Sequence, residues 1–414
     1  MAIYDRWHKT HPKAGDPRCS CKPARAKTRD HGCKERWQVR WRDEDGNQKK
    51  ESFAKLPTAE LRDAEIRASL ANGSYVDPHA GAVTLAEYGR RYVANMGCDP
   101  QTAYKARMRL EMWAFSRPIG KLPIGALAKT PSRIQQWLKE QEPHLAPSTI
   151  QLNAISLGAI FNAAIDDRII SRNPFKAKSV RVPKPEERKV VPLTLAQVQA
   201  LDEALPDWYE GFPYIGAGCG LRQGELLGLA LEDIDFLGRV VHVRRQVKFS
   251  KGRLVFALPK YGKMRDVPLP DFVGLRVSSR IQRHKPVPVT LPWRIPEGKP
   301  VTASLLFTSR RGDPMWGNNV GESWRLARRK AGVPSGREFG THVLRHTAAS
   351  AWLASGVDIK TVSEYLGHFD PGFTLRTYVH MMPNASERAR SAMNLFFQDQ
   401  NGPCAPEVPG DAAV

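Results

Sequence analysis

Trp37, Val39 and Trp41 alternate with Gln38, Arg40 and Arg42. A period of two predicts a half-buried strand. Asp45-Gly46-Asn47 supplies a turn, and Lys49 to Phe53 reads as the return strand. Arg40, Arg42, Lys49 and Lys50 would then lie on a small sheet. Its basic outward positions suit either a nucleic-acid groove or plain solvent. Leu56 to Asn72 turns to helical spacing and stops at Gly73. From Thr84 to about Pro174 the pattern is helical throughout. Thr84 and Glu87 form a capping pair at its start. Leu157, Phe161 and Ile165 repeat every fourth residue in a helix that begins at Ser148.

The second half is mixed. Thr194 caps a helix over Leu195 to Leu205, and a second helix is expected around Gln223 to Leu231. Arg239 to Val247, Arg253 to Leu258 and Arg265 to Leu269 read as three short strands. Residues 285–300 carry five prolines and read as a surface loop. Helices return from Asn318, and Ser386 to Phe397 closes the pattern with Ala389, Ala392, Met393 and Phe396 on one face. The fold class that follows is multidomain, mainly α with small β-sheets. The predicted divisions are a basic sheet module over 1–60, a linker helix over 61–83, a helical domain over 84–175, a basic linker over 176–192, a mixed α+β domain over 193–400 and a flexible tail over 401–414.

Charge sharpens this picture. In 414 residues, 63 Lys and Arg face 42 Asp and Glu, a formal excess of +21. That potential favours a polyanionic partner, and nucleic acid is the partner expected. Lys105, Arg107 and Arg109 on one helix and Lys176, Lys178 and Arg181 in the linker are the candidate backbone contacts, beside the four residues of the sheet. No apolar run near the length of a membrane span is read, so no membrane is expected. Six cysteines do not make a disulfide framework, which fits a reducing cytoplasm. Cys19-x-Cys21 and His31-x-Cys33 place four potential zinc ligands in fifteen residues. Their one-residue spacing departs from the usual pairs, so free thiols are expected and no metal is assigned. No cofactor is called for.

Four segments carry chemistry: Gly218-Cys219-Gly220-Leu221-Arg222-Gln223-Gly224-Glu225-Leu226, Lys260-Tyr261-Gly262-Lys263-Met264-Arg265, His342-Val343-Leu344-Arg345-His346, and Leu366-Gly367-His368 with Tyr378 ten residues further on. Two arginines at helix starts can fork onto one phosphate and neutralise a developing pentavalent charge. His342 and Arg345, three apart, share a helix face. A lysine on a hairpin tip can deliver a proton, and a tyrosine hydroxyl is a competent nucleophile. No carboxylate cluster at metal spacing accompanies these groups. The set points to phosphoryl transfer in which guanidinium groups stabilise the charge.

In this order the segments resemble the tyrosine recombinases, above all the phage-type integrases. The resemblance is strongest over 194–395. It extends to a core-binding domain over 84–174 and an arm-site sheet at the N-terminus. It implies a site-specific recombinase that integrates or excises a mobile element such as a phage genome. Tyr378 would attack the scissile phosphate and form a 3′-phosphotyrosyl bond. Arg222 and Arg345 would hold that phosphate, and Lys260, with Lys263 as its rival, would protonate the leaving 5′-oxygen. His342 would assist Tyr378 as general base, His368 would bond the phosphate, and Glu225 would buttress the site. His346 is expected to pack beside them. The implied partners are double-stranded attachment sites, a homotetramer in the synaptic complex, a DNA-bending host factor and an excision directionality factor. A type IB topoisomerase-like relaxing enzyme and a non-catalytic DNA-binding regulator of the same fold are the alternatives.

Overall fold

Alternation in the first strand pair builds a sheet, and the helix that follows covers it. The computed structural model describes residues 2–7, 35–43, 46–73, 75–77, 80–186, 190–379 and 386–398. The chain separates into two compact units, Met1–Glu186 and Glu187–Val414. Cys19, Cys21, His31 and Cys33 lie outside the described residues, as does the tail from 399.

In the first unit, β1 (Ala2–Asp5), β2 (Trp37–Arg42) and β3 (Gln48–Phe53) form an antiparallel sheet in that order. β1 is an addition to the predicted hairpin. α1 (Leu56–Ala71) packs Ala59 and Ile66 against Val39, Trp41 and Tyr75. The Trp41 indole N–H donates to the Tyr75 hydroxyl at 2.8 Å. This helix therefore completes the sheet module and is no linker. Register corrects one charge as well. Lys49 pairs across from Trp41, on the helix side, whereas Arg40 and Lys50 pair on the other face. Lys49 is bonded to Asp77 and lies 3.6 Å from Asp43.

The helical part holds α2 (Leu85–Ala94), α3 (Pro100–Leu110), α4 (Ile124–Lys129), α5 (Pro131–Gln141) and α6 (Pro147–Asp166). The Thr84 hydroxyl accepts from Glu87 N–H, as the capping pair requires. α6 is long and apolar enough to cross a membrane by length and composition. Its Ile150, Ala154, Leu157, Ile160 and Phe161 are instead buried against α2 to α5, so it is the core helix of this unit. Lys105 and Arg107 are exposed. Arg109 is half-buried and bonds Asn153 and Ser156, tying α3 to α6. Lys176, Lys178 and Arg181 are exposed, but their segment is not a free tether. Phe175, Val180 and Val182 pack on the helical core, and Arg181 N–H donates to Gln135.

In the second unit, α7 (Leu195–Ala204) carries a full capping box at Thr194. α8 (Phe212–Cys219) and the short α9 (Gln223–Leu227) follow. The strands are β4 (Ile234–Asp235), β5 (Val240–Val243), β6 (Gln246–Ser250), β7 (Arg253–Ala257) and β8 (Arg265–Pro268). They form two sheets, β4-β5-β8 and β6-β7. The single strand expected over 239–247 is split, because the chain changes sheet at Arg244-Arg245. For the same reason Lys260 is not on a hairpin tip. β7 pairs with β6 and β8 with β5, so residues 260–262 connect two sheets.

After α10 (Asp271–Arg283), β9 (Val287–Pro292) and β10 (Pro300–Leu305) form a hairpin where a loop was expected. Val289 and Leu291 alternate inward, and a two-stranded hairpin leaves each strand an open edge where proline costs no ladder bond. α11 (Gly317–Lys330), α12 (His342–Ala354), α13 (Ile359–Leu366), α14 (Pro371–Tyr378) and α15 (Ser386–Gln398) complete the unit. In α15, Met393 and Phe396 are exposed. The core of the unit gathers Ile215, Leu226, Phe256, Phe307 and Leu344.

Candidate active site

Two left-handed glycines set the geometry. Gly220 ends α8 at φ +63°, and Gly367 ends α13 at φ +60°. A Cβ on Gly220 would meet the Trp352 ring at 3.0 Å, and one on Gly367 would sit 3.1 Å from the Arg265 side chain. The last carbonyls of a helix lack intrahelical partners and carry the negative end of its dipole. Here three successive ones are taken by three arginines. Arg265 Nε donates to Tyr365 O at 2.6 Å, Arg345 Nη2 donates to Leu366 O, and Arg222 Nη2 donates to Gly367 O at 2.9 Å. Arg345 Nη1 also donates to Gly220 O at 2.9 Å.

Glu225 lies beneath this cluster with its side chain wholly covered. Its carboxylate accepts from the Arg222 backbone N–H and Nη1, both at 2.9 Å, and from Arg265 Nη1 and Nη2 at 3.0 and 2.7 Å. Burial would raise its pKa, but the bidentate Arg265 and the charge of Arg222 win and hold it down at about 2. Arg345 is 1% exposed, and burial, then the like charge of Arg222, brings it down to about 9. Arg222 retains some surface. Arg265 was absent from the predicted set. The signal for it was its phase, since Arg265, Val267 and Leu269 share the inward side of one strand run.

α12 brings His342, Arg345 and His346 into its first two turns, held by buried Val343, Leu344 and Ala348. His342 is exposed and stands edge-on to His346, ring centroids 4.7 Å apart. Tyr378, the last residue of α14, packs its ring with Leu353, Val362 and Leu366. Its hydroxyl bonds His346 Nδ1 at 2.6 Å, so the imidazole that touches the phenol is His346 and not the expected His342. Burial raises the phenol to about 12, against the opposing pull of Arg345. Burial, then Arg345, lowers His346 to about 4. His368 Nδ1 pairs with the Thr374 hydroxyl at 2.7 Å. Burial, then Arg345 and Arg222, lowers it to about 3.

Lys260 is exposed, and its ammonium rests 5.1 Å from the Tyr261 ring. Tyr261 is left-handed at φ +68° and lies 5.9 Å from Phe369. Lys263 rests over Phe369 at 5.5 Å. The cluster can bind an anion between fixed guanidinium groups, with one hydroxyl already paired to a neutral base. This is the arrangement of a tyrosine recombinase.

Comparison with known proteins agrees. Residues 187–385 match the model of the phage integrase family. A tyrosine recombinase XerC-like protein of Caldanaerobacter subterraneus is 27% identical over 379 residues, 86% of this chain and 94% of that one. A putative prophage phiRv2 integrase of Mycobacterium tuberculosis is 26% identical, covering 66% and 68%. Among solved structures, the Tn1549 transposon integrase in complex with a circular intermediate DNA has a TM-score of 0.64 at 24% identity, over 76% of this chain and 99% of that one. A lambda integrase tetramer bound to a Holliday junction has a TM-score of 0.55 at 17% identity, over 82% and 91%. The chain belongs to the phage integrase family of tyrosine recombinases.

Proposed function

We propose that the protein cleaves and rejoins duplex DNA at specific sites through a 3′-phosphotyrosyl bond to Tyr378, and so integrates or excises a mobile element. The observation that carries this reading is the stitching of Arg222 and Arg345 to the ends of α8 and α13 beside the buried Tyr378 hydroxyl. Each guanidinium has five N–H groups, and the two side-chain bonds described for each leave three for phosphate oxygens. Glu225 and the backbone carbonyls hold the forks in place before DNA arrives, so little reorganisation is left for the reaction. His342, exposed at the start of α12, and His368 face the same phosphate. Lys260 delivers a proton to the leaving 5′-oxygen.

Exchange of one phosphodiester for another is close to thermoneutral, so the enzyme cannot set direction alone. Strand exchange needs two duplexes, which calls for a homotetramer on paired attachment sites. Direction would then come from a DNA-bending host factor and an excision factor, in the cytoplasm of a bacterial host. On the sheet, Arg40, Arg42 and Lys50 remain the candidate arm-site contacts, and Lys105, Arg107, Lys176, Lys178 and Arg181 the candidate backbone contacts.

The test is a duplex nicked next to the cleavage position, which traps the covalent adduct. We expect an adduct with the wild-type protein, none with Tyr378→Phe, and a DNA-linked peptide that contains residue 378. Binding without an adduct would leave a regulator. An adduct without exchange between two different duplexes would leave a relaxing enzyme.

A further inference from the structure

We propose that His346 takes the phenolic proton as Tyr378 attacks the phosphate. The proposal rests on the recombinase reading above and assigns its base. His346 Nδ1 is 2.6 Å from the Tyr378 hydroxyl, which has no other hydrogen-bond partner among the described residues. The two rings lie 5.6 Å apart at 58°, one on the second turn of α12 and the other at the end of α14. Among the described residues, the groups that face the His346 ring are His342 and Arg345 on its own helix and Tyr378 on α14. No carboxylate is among them, so nothing favours an imidazolium there. The ring is neutral at pH 7, held well below the ordinary histidine value by burial and then by Arg345. A phenol donates, so a neutral ring that meets it through Nδ1 accepts there and carries its own proton on Nε2.

His342 cannot serve in the same way from where it stands. Its ring lies edge-on to His346, and it makes no hydrogen bond to Tyr378. It is exposed and left to the phosphate. The phenol itself is buried at a value raised to about 12, so free phenolate is scarce at neutral pH. Its proton must leave as the new bond forms, to a base already in contact.

The step balances. The Tyr378 Oη–phosphorus bond forms while the phosphorus–O5′ bond breaks. The phenolic proton moves to His346 Nδ1, and the 5′-oxygen takes a proton from Lys260 Nζ. One positive charge thus passes from the lysine to the histidine, and the net charge is unchanged. Religation runs the same path backwards. The 5′-hydroxyl attacks and returns its proton to Lys260, and the phenolic oxygen leaves with the proton held on His346. Burial disfavours the imidazolium, so the proton is readily given back.

The experiment measures single-turnover adduct formation on the nicked duplex from pH 6 to pH 9. His346→Asn keeps an acceptor oxygen near the Nδ1 position but cannot take a proton. We expect its rate at pH 7 to fall roughly a hundredfold, and to climb about tenfold per pH unit as hydroxide takes over. The wild-type rate stays flat across that range. A 5′-bridging phosphorothiolate, whose thiolate needs no proton to leave, should rescue Lys260→Ala and not His346→Asn. A His346→Asn rate within threefold of wild type, or its rescue by the phosphorothiolate, overturns the proposal. ¹⁵N spectra of the histidine-labelled wild-type chain give a readout that needs no variant at 346. An unprotonated Nδ1 whose signal moves in Tyr378→Phe supports the proposal, and a protonated Nδ1 overturns it. Absence of any wild-type adduct, or an adduct that persists in Tyr378→Phe, breaks the recombinase reading instead.

Discussion

Arg222, Arg265 and Arg345 engage Glu225 and four helix-end carbonyls, whereas among the described residues the Lys260 ammonium rests against nothing firmer than the Tyr261 ring. The arginines are mostly covered and the lysine is exposed. On the roles proposed above, the contrast follows from what each half would have to do. A phosphate's charge is present from the moment DNA binds, so its donors gain from being fixed beforehand. The leaving oxygen needs its proton only late, so its donor can sit on an exposed turn and be placed by the DNA. A fixed half should fail through stability and chemistry together, and a loose half through chemistry alone.

The largest break is expected at Arg265. Arg265→Ala removes the bidentate partner of a wholly buried carboxylate. Arg222 stays on that carboxylate, so the loss should sit at the low end of the roughly 3–5 kcal/mol that breaking a buried charge pair costs. That is a fall of roughly ten degrees in Tm for a unit of this size. Adduct formation should fall with it. Arg265→Lys should recover little, because an ammonium cannot span both Glu225 oxygens and the Tyr365 carbonyl at once. Unchanged melting would show that the half called fixed is not held by this pair.

Lys260→Ala should do the opposite. Loss of a general acid costs roughly a hundredfold or more in cleavage. Removal of an exposed side chain should shift stability by less than about 0.5 kcal/mol. Lys263→Ala, which only loosens a contact with Phe369, should cleave within a few fold of wild type. Single-turnover rates and thermal melts on the same preparations check both halves of the contrast. If Lys263→Ala is the slower of the two, the acid has been misassigned.

Acid should also sort the halves. His346 and His368 are held below the ordinary histidine value, at about 4 and about 3. Unfolded chains bind their protons near 6.5, so between about 6.5 and 4 the unfolded state takes up more protons. The stability these rings contribute is complete above pH 6.5 and is lost as pH falls. From pH 7 to 5 each ring loses up to about 2 kcal/mol, so we expect a loss of up to about 4 kcal/mol in the urea-denaturation free energy of the second unit. His368→Gln should flatten part of that slope, and an unchanged slope would show that burial of His368 is not what sets it.

The order of the chemical segments was legible because each sits at an element end with its own local signature. Gly220 before Arg222, Gly367 before His368 and the His-x-x-Arg spacing of α12 are all short-range patterns. What stayed hidden depends on distant pairing. Arg265 shares the inward phase of Val267 and Leu269, but what it meets there, the end of α13, is set by packing between distant elements that this phase does not announce. His346 looked like packing because its partner is 32 residues away. The hairpin over 287–305 was masked by its prolines, although Val287, Val289 and Leu291 alternate as a strand should. Lys49 was grouped with Lys50 because both are basic, yet neighbours in a strand point to opposite faces.

That last distinction gives the smallest predicted effect. Arg40 and Lys50 pair across β2 and β3 on the face away from α1, while Lys49 is bonded to Asp77 on the other. If this sheet contacts DNA through its open face, Lys50→Ala should weaken arm-site binding alike for all sequences. It should also lower the slope of log affinity against log salt by about one. Lys49→Ala should leave that slope unchanged, because its charge is already matched by Asp77 and Asp43. Titrations of the full chain at several salt concentrations separate the two. Equal slopes for both variants would mean that the face carrying Arg40 and Lys50 is not the one that meets the phosphates.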